Sequence, residues 1–295
     1  MQRAFRWAAI AMLSATIAGA EISETDLTLR TGQQAFVGTL VTPSGPPAPV
    51  VLLLHGFTGT RDELATDHVK DGVFAYTARA LADAGFASLR IDFRGSGESL
   101  ADLTFADTTF EGQIADAIAA VDYLKLTDAV DGDDIHIVGW SLGGLVAASV
   151  AGRVDGLDTV SLWNAVGDPE ATFVGLFGSD LMQTGLDAAP DTVISTELPW
   201  GAKIELKGTF FDGIEAINPV EEIKGFDGAL FVAVGAQDTT VLPENGARFI
   251  EAHEGPEKLW VAEMDHVFNV FSTETMLAEL VAETIAFIEA NDDSR

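Results

Sequence analysis

The pentapeptide Gly139–Gly143, with the sequence Gly-Trp-Ser-Leu-Gly, constrains the fold of this chain more than any other stretch. It follows the mostly apolar run Ile135–Val138 and precedes the small-residue run Leu145–Ala151. This order predicts a strand, a sharp turn that carries Ser141, and a helix, the context in which a G-x-S-x-G string marks a nucleophile elbow. Glycine at both ends suits a turn too tight for a Cβ atom. Because Gly and Ser are common residues, this interpretation also requires a base, an acid and oxyanion donors elsewhere in the chain.

Apolar runs alternate with helical patterns along most of the sequence. An antiparallel pair is predicted over Asp26–Arg30 and Gln34–Thr42. Further strands are predicted at Val50–Leu54, Phe86–Asp92, Ile135–Val138, Thr159–Asn164, Ala229–Gly235 and Lys258–Val261. Helices are predicted at Val73–Ala84, Phe110–Leu126, Leu145–Ala151, Pro243–His253 and Thr275–Ala290. Strands alternating with helices predict an α/β fold with a doubly wound, mostly parallel sheet and right-handed crossovers.

The alternation of strands and helices breaks after Asn164. Residues 167–211 contain Gly, Pro, Phe and Leu without a clean period. The segment is too long for an ordinary connection in a compact fold. We therefore predict a small cap inserted over the site, within one domain that spans residues 21–295.

Three chemically suited side chains follow three predicted strands. Ser141 ends one strand, Asp238 comes just after a later one, and His266 follows the strand after that. In open parallel sheets, ligands bind at the carboxyl ends of the strands, so all three fall at the functional edge. Ser141 would then be the nucleophile, His266 its base, and Asp238 the carboxylate that orients the imidazole. Asp265 is the alternative carboxylate, because it neighbours His266 in sequence.

An oxyanion hole needs two backbone donors. The Leu142 N–H, directly after Ser141, is one candidate. Phe57 is the other, because its N–H lies in the His55-Gly56-Phe57 stretch that follows another predicted strand. Gly56 would let this loop approach closely, and His55 is interpreted as a structural hydrogen-bonding group rather than a second base.

Five motifs together resemble the α/β-hydrolase superfamily. They are His55–Gly59, Asp92–Ser99, Gly139–Gly143, Gly235–Asp238 and Asp265-His266. Within the superfamily the chain is most similar to bacterial esterases that include cinnamoyl (feruloyl) esterases, through His55–Gly59 and through Leu206–Phe211 at the end of the cap. The resemblance implies the α/β-hydrolase fold and a serine carboxylic-ester hydrolase that acts through an acyl-enzyme. Its substrates would be small-molecule esters of short-chain or aryl acids, including hydroxycinnamic acids, and no cofactor is implied.

Aromatic residues are the candidates for substrate binding. They are Trp140, Phe173, Phe177, Trp200 and Phe210. An apolar acyl or aryl pocket and the packed core of the cap are both consistent with the cap aromatics. His68, Asp62, Glu63 and Asp67 are candidate ligands for a metal ion. A solvated loop face is preferred there, so no metal is predicted.

Charge and the N-terminus bear on partners and location. The formal net charge is −30 at pH 7, which disfavours nucleic-acid binding. Residues 1–20 combine Arg3 and Arg6, an apolar stretch and a small-residue Ala-Gly-Ala end, which predicts a signal peptide. A periplasmic or secreted protein follows, with no stable membrane insertion after cleavage. The sequence has no cysteine, so no disulfide is available, and a homodimer is left open.

Other functions of the same fold remain as alternatives. A lipase or an acyltransferase would use the same three residues with a different acyl chain or acceptor. A serine peptidase is disfavoured because the chain has no room for the large propeller such enzymes usually carry. A catalytically silent binding protein is disfavoured by the complete set of Ser141, Asp238 and His266.

Overall fold

A computed structural model describes residues 22–101 and 103–292 of the chain. The predicted signal peptide, residues 1–20, lies outside the described residues. The strands are β1 (Ile22–Thr31), β2 (Gln34–Pro43), β3 (Pro49–Leu54), β4 (Ala87–Asp92), β5 (Asp131–Trp140), β6 (Thr159–Trp163), β7 (Val193–Glu197), β8 (Lys203–Lys207), β9 (Ala229–Gly235) and β10 (Glu257–Ala262). The α-helices are α1 (Val73–Asp83), α2 (Phe110–Leu126), α3 (Leu142–Ala151), α4 (Pro169–Phe177), α5 (Ser179–Leu186), α6 (Gly208–Ala216), α7 (Pro219–Glu222), α8 (Glu244–Ala252) and α9 (Thr275–Asn291).

Eight strands form the central sheet, in the order β1-β2-β4-β3-β5-β6-β9-β10. β1 pairs antiparallel with β2, and β2 pairs antiparallel with β4. The remaining pairs, from β4 to β10, are parallel. The predicted mostly parallel, doubly wound sheet is therefore confirmed, and the predicted bounds of α2 and β9 are those observed.

The central strands are buried on both faces, which explains their continuous apolar runs. In β3, successive side chains alternate between two cores, because strand side chains point to opposite faces. Leu52 and Leu54 pack with α2 and α3 on one face. Val51 and Leu53 pack with α1 and α9 on the other. Because β3, β5, β9 and β10 run parallel to one another, their carboxyl ends lie at one edge of the sheet.

The segment between β6 and α7 contains three helices and a hairpin. α4 and α5 precede the antiparallel pair β7–β8, and α6 follows it. α6 runs to Ala216, so helical structure continues beyond the predicted end of the cap at Phe211. We keep the name cap for α4 to α6. Because these helices have only eight or nine residues each, they show too few turns for a clean period.

No described helix is long and apolar enough to span a membrane.

Candidate active site

Ser141 lies at the junction of β5 and α3 in a strained backbone conformation. Its φ is +55°, a region that residues other than glycine rarely adopt. A Cβ atom on Gly139 would overlap the carbonyl of Gly143, and one on Gly143 would overlap the carbonyl of Leu54. Hydrogen bonds to neighbouring strands stabilise this strained conformation; for example, the Ser141 N–H donates to the Trp163 carbonyl at 3.0 Å. The turn thus has the geometry of a nucleophile elbow.

His266 bonds to both of its predicted partners. Its Nε2 lies 3.0 Å from Ser141 Oγ, and its Nδ1 lies 2.7 Å from Asp238 Oδ2. A carboxylate only accepts hydrogen bonds, so Nδ1 carries the proton and Nε2 accepts from the Ser141 hydroxyl. The structure therefore brings the three residues together in the arrangement needed for proton transfer from the serine.

Asp238 and Asp265, the two carboxylates considered for His266, have different surroundings. Asp238 is buried, and its Oδ1 accepts from the N–H groups of Thr240 and Val241 at 2.8 and 2.9 Å. Its Oδ2 is left for His266. Asp265 Oδ1 instead accepts from the N–H groups of Val267 and Asn269, at 3.0 and 2.7 Å, and so closes its own loop. Asp238, not Asp265, is the residue hydrogen-bonded to the imidazole.

The backbone of His266 is itself held from two sides. Trp140 Nε1 donates to the His266 carbonyl at 3.1 Å, and so does Asn164 Nδ2 at 3.1 Å. Asn164 Oδ1 also accepts from the Gly235 N–H at 2.7 Å. Asn164 thus connects the loop after β10 to the end of β9. The sequence interpretation used Asn164 only as the end of a strand, and nothing in its neighbours reveals this role.

The two predicted oxyanion donors flank Ser141. Leu142 is the first residue of α3, and Phe57 lies in the loop after β3. Gly56 lies against the elbow, because an added Cβ would be 3.5 Å from Ser141 Cβ. Phe57, Ser141, Leu142 and His266 line one cavity. Both predicted donors are therefore beside the serine.

His55 has a structural environment. Its Nδ1–H donates to the Gly56 carbonyl at 2.8 Å, and its Nε2 accepts from the Phe93 N–H at 3.1 Å. This pattern requires the neutral imidazole with the proton on Nδ1. Burial lowers the pKa of His55, which agrees with the neutral form.

The cavity over Ser141 has a volume of about 420 Å³. Three of the residues predicted to bind substrate, Trp140, Phe173 and Trp200, line it. Phe177 and Phe210 do not line it: they pack behind Phe57, with ring centroids 6.1 and 5.6 Å from the Phe57 ring. The sequence interpretation missed other wall residues, of which one, Leu176, lies in α4 and the rest come from loops without any periodic pattern. These are Leu64, Val166, Leu176, Val267 and Phe271.

A larger cleft of about 1070 Å³ lies beside this cavity. It is bounded by Thr58–Thr60, the loop 95–97 and the hairpin β7–β8. Thr58 and Gly59 border both spaces. The larger cleft contains none of Ser141, Asp238 and His266, so size alone does not identify the reactive space.

The other candidate motifs have local structural partners. In the Gly-rich loop 92–99, Asp92 accepts from the N–H groups of Arg61 and Glu98, at 2.7 and 2.9 Å. Of the weighed metal ligands, Glu63 bonds to the Gly56 N–H and Asp62 bonds to Arg90. Within residues 22–101 and 103–292, no group of three or more His, Asp or Glu residues has the geometry for a metal ion.

Comparison with known proteins agrees with this architecture. A family model described as the alpha/beta hydrolase fold matches residues 49–171, and solved structures of esterases superimpose on about nine-tenths of the chain. The chain has the α/β-hydrolase fold. The family match includes Phe57, Ser141 and Leu142 and stops before Asp238 and His266.

Among α/β-hydrolase structures, the chain is similar to Est1E from Butyrivibrio proteoclasticus bound to ferulic acid. The TM-score is 0.72 at 22% identity, over 90% of this chain and 98% of that one. It is also similar to an esterase domain from Rhodothermus marinus, with a TM-score of 0.65 at 23% identity, over 91% and 98% of the two chains. An esterase from Pyrococcus furiosus gives a TM-score of 0.68 at 21% identity, over 92% of this chain and 91% of that one.

A curated relative is an uncharacterised 31.7 kDa protein of Escherichia coli from the traX–finO intergenic region. It is 32% identical over 96 residues, which cover 32% of this chain and 30% of that protein. The chain therefore matches less than a third of that relative's length.

Proposed function

We propose that this protein is a serine carboxylic-ester hydrolase. The observation that carries the proposal is the hydrogen-bonded series Ser141–His266–Asp238, which opens into a mostly apolar cavity with several aromatic side chains in its wall. A buried serine in a strained turn, within 3.0 Å of an imidazole, is a costly arrangement that suits nucleophilic catalysis.

In the proposed acylation step, the ester carbonyl carbon lies over Ser141 Oγ. His266 Nε2 takes the hydroxyl proton as Oγ attacks, and Asp238 stabilises the resulting imidazolium. The negative charge that develops on the carbonyl oxygen accepts hydrogen bonds from the Phe57 and Leu142 N–H groups. The imidazolium then protonates the leaving alcohol, and the acyl group stays on Ser141.

Deacylation repeats the same chemistry with water. His266 removes a proton from the water, whose oxygen attacks the acyl-enzyme carbonyl. The same two N–H groups hold the second tetrahedral oxyanion. The collapse of this intermediate releases the carboxylic acid and returns the proton to Ser141. None of these steps needs a cofactor.

The size and walls of the cavity favour esters of short-chain or aryl acids as substrates. Its volume of about 420 Å³ is at the small end of ligand sites. Phe57, Phe173 and Trp200 contribute aromatic side chains to its walls. The similarity to Est1E bound to ferulic acid makes hydroxycinnamoyl esters the aryl substrates to test first.

The Ser141→Ala variant tests the proposal. We expect hydrolysis of p-nitrophenyl acetate to fall by about 10⁴-fold or more, because the nucleophile is lost. Ser149→Ala is the matched control, since Ser149 lies in α3, is buried, and has no hydrogen-bond partner for its hydroxyl in the described structure. Wild-type turnover by folded Ser141→Ala protein would contradict the proposal.

We also propose that residues 1–20 direct export and are removed. The test is N-terminal sequencing of the protein recovered outside the cytoplasm. A mature chain that begins near residue 21 is expected, and an intact Met1 would contradict the proposal.

A further inference from the structure

Glu63 is a buried carboxyl group that the proposed reaction does not use. It lies in the loop between β3 and α1, and its side chain is 2% exposed. Its Oε1 accepts a hydrogen bond from the Gly56 N–H at 2.6 Å. Its backbone φ is +57°, which is unfavourable for glutamate. Because a buried carboxyl and a positive φ both cost free energy, this position calls for a physical explanation.

Hydrogen bonds fix the two peptide groups on either side of Gly56, namely His55–Gly56 and Gly56–Phe57. The Gly56 N–H donates to Glu63, and the Gly56 carbonyl accepts from His55 Nδ1 at 2.8 Å and from the Gly59 N–H at 3.1 Å. A trans peptide is planar, with its N–H directed opposite to its C=O. The bonds to the Gly56 carbonyl therefore turn the Phe57 N–H away from His55 and Gly59.

The loop is also closely packed around the Glu63 carboxyl. A Cβ atom on Gly59 would overlap the carboxyl group. The Glu63 N–H donates to the Thr60 carbonyl at 3.0 Å, which completes a tight turn. The segment from Gly56 to Glu63 thus closes on itself, with the carboxyl as its internal hydrogen-bond acceptor.

We propose that Glu63 is a positioning residue, which holds the Gly56 N–H and so orients the Phe57 N–H for the oxyanion. The inference rests on the proposed ester hydrolysis and adds a residue to its oxyanion hole. Glu63 touches neither Ser141 nor His266 through a hydrogen bond in the described structure, so it acts through the loop.

The charge state of Glu63 follows from its surroundings. Burial raises the pKa of Glu63 to about 8, and the nearby Asp92 carboxylate adds to the rise. The other facing groups are His55, whose Nδ1 is 3.9 Å away, Arg61, which pairs with Asp92, and Asp265 and His266 across the cavity. Below pH 8, Glu63 is mostly neutral and adds no negative charge beside the oxyanion. Above that pH, its carboxylate would repel the developing oxyanion.

The test compares two substitutions at this position by steady-state kinetics with p-nitrophenyl acetate. Glu63→Leu removes the acceptor, and we expect kcat to fall about 30-fold with KM within about twofold, since a lost oxyanion donor costs 10²- to 10³-fold. Glu63→Gln keeps an acceptor oxygen, and we expect kcat at pH 7 within about threefold of wild type. Glu98→Gln is the control, because Glu98 is an exposed partner of Arg61 in the adjacent loop.

The pH profile supplies a second readout, which a purely structural role would not change. Wild-type kcat should decline above about pH 8, the pKa of Glu63, after subtraction of spontaneous hydrolysis. Glu63→Gln should lack this decline, because it cannot ionise. If Glu63→Leu does not fold, as judged by its thermal transition, the comparison of the wild-type and Glu63→Gln profiles decides alone.

The outcomes separate this inference from the proposed function. Unchanged kcat in folded Glu63→Leu, or an alkaline decline retained in Glu63→Gln, would overturn the positioning role while Ser141→Ala still abolishes hydrolysis. Retained hydrolysis in Ser141→Ala would overturn the proposed function itself.

Discussion

The loops at the carboxyl ends of the sheet strands and the cap are held in place by different forces. Around Ser141, Asp238 and His266, many of the constraints are hydrogen bonds to the backbone. Asn164, for example, donates to the His266 carbonyl and accepts from the Gly235 N–H at the end of β9. The cap is held mainly by aromatic packing, with Phe210 stacked on Phe110 at 5.0 Å and Phe173 edge-on to Phe57 at 5.4 Å.

This difference has a consequence for function. Hydrogen bonds are directional, so the strand-end loops fix reacting atoms within tenths of an ångström. Apolar packing tolerates exchange of side chains when volume is kept. We therefore expect substitutions in the strand-end loops to change kcat, and substitutions in the cap to change substrate preference or stability.

The largest effect should come from the carboxylate of the strand-end loops. Asp238→Asn should lower kcat about 10⁴-fold, because an amide no longer selects the imidazole tautomer that accepts the serine proton. Asp265→Asn is the matched control, since the Asp265 carboxylate bonds only to its own loop in the described structure. Comparable kcat losses in the two variants, measured with p-nitrophenyl acetate, would show that the assignment of the acid is wrong.

A smaller effect is expected for the stability of the oxyanion loop. Burial raises the pKa of Glu63 from its ordinary value of 4.5 to about 8 in the folded protein. Folding therefore favours the protonated form, and the contribution of Glu63 to stability is present below about pH 4.5 and is lost as pH rises through 8. Glu63→Gln cannot ionise, so it should not lose this stability. Its free energy of unfolding relative to wild type should therefore be about 4 kcal/mol higher at pH 9 than at pH 4. Denaturant unfolding at both pH values measures this, and an equal effect at both would contradict it.

In the cap, by contrast, a substitution should change substrate affinity and leave kcat nearly unchanged. Trp200 is 54% exposed at the turn of the hairpin β7–β8 and lines the cavity. Trp200→Ala should raise KM for methyl ferulate about three- to tenfold, because an aromatic contact is worth about 0.5–1.5 kcal/mol. The kcat for p-nitrophenyl acetate should change by less than about twofold. A kcat loss with both substrates would erase the distinction between the cap and the strand-end loops.

The buried aromatic residues of the cap give the smallest kinetic effect. Phe210 is 1% exposed and lies behind the cavity wall. Phe210→Leu should lower the free energy of unfolding by about 1–2 kcal/mol through the space it leaves. Its KM values should stay near those of the wild type. A selective change in KM for aryl esters would place Phe210 in substrate binding after all.

The same contrast explains how much could be predicted from the sequence. Strands such as β3 and β9 are continuous apolar runs, and α2 has a long helical period, so their positions follow from composition and spacing. Ser141, Asp238 and His266 could be paired because parallel strands end at one edge. Local sequence patterns therefore largely predict the strands of the sheet and the order in which the loops carrying Ser141, Asp238 and His266 occur. The grouping of these three residues follows from the parallel strand direction.

The parts that escaped prediction depend on contacts distant in sequence. Phe173, Phe177 and Phe210 are all phenylalanines in the cap, yet only Phe173 lines the cavity. The packing of the cap decides which of them reaches the wall. Sequence proximity to His68 makes Glu63 a candidate metal ligand, whereas its actual bond to the Gly56 N–H depends on a loop that folds back on itself. A single sequence carries no local signal for either distinction.

The most direct test of the proposed nucleophile is covalent labelling with diethyl p-nitrophenyl phosphate. We predict one p-nitrophenol released per chain, one diethylphosphoryl group added by intact mass, and its location on Ser141 by peptide mass spectrometry. Ser141→Ala should remain unlabelled, whereas Ser149→Ala should react like the wild type. Labelling at another residue, or hydrolytic activity that persists in fully labelled protein, would contradict the role proposed for Ser141.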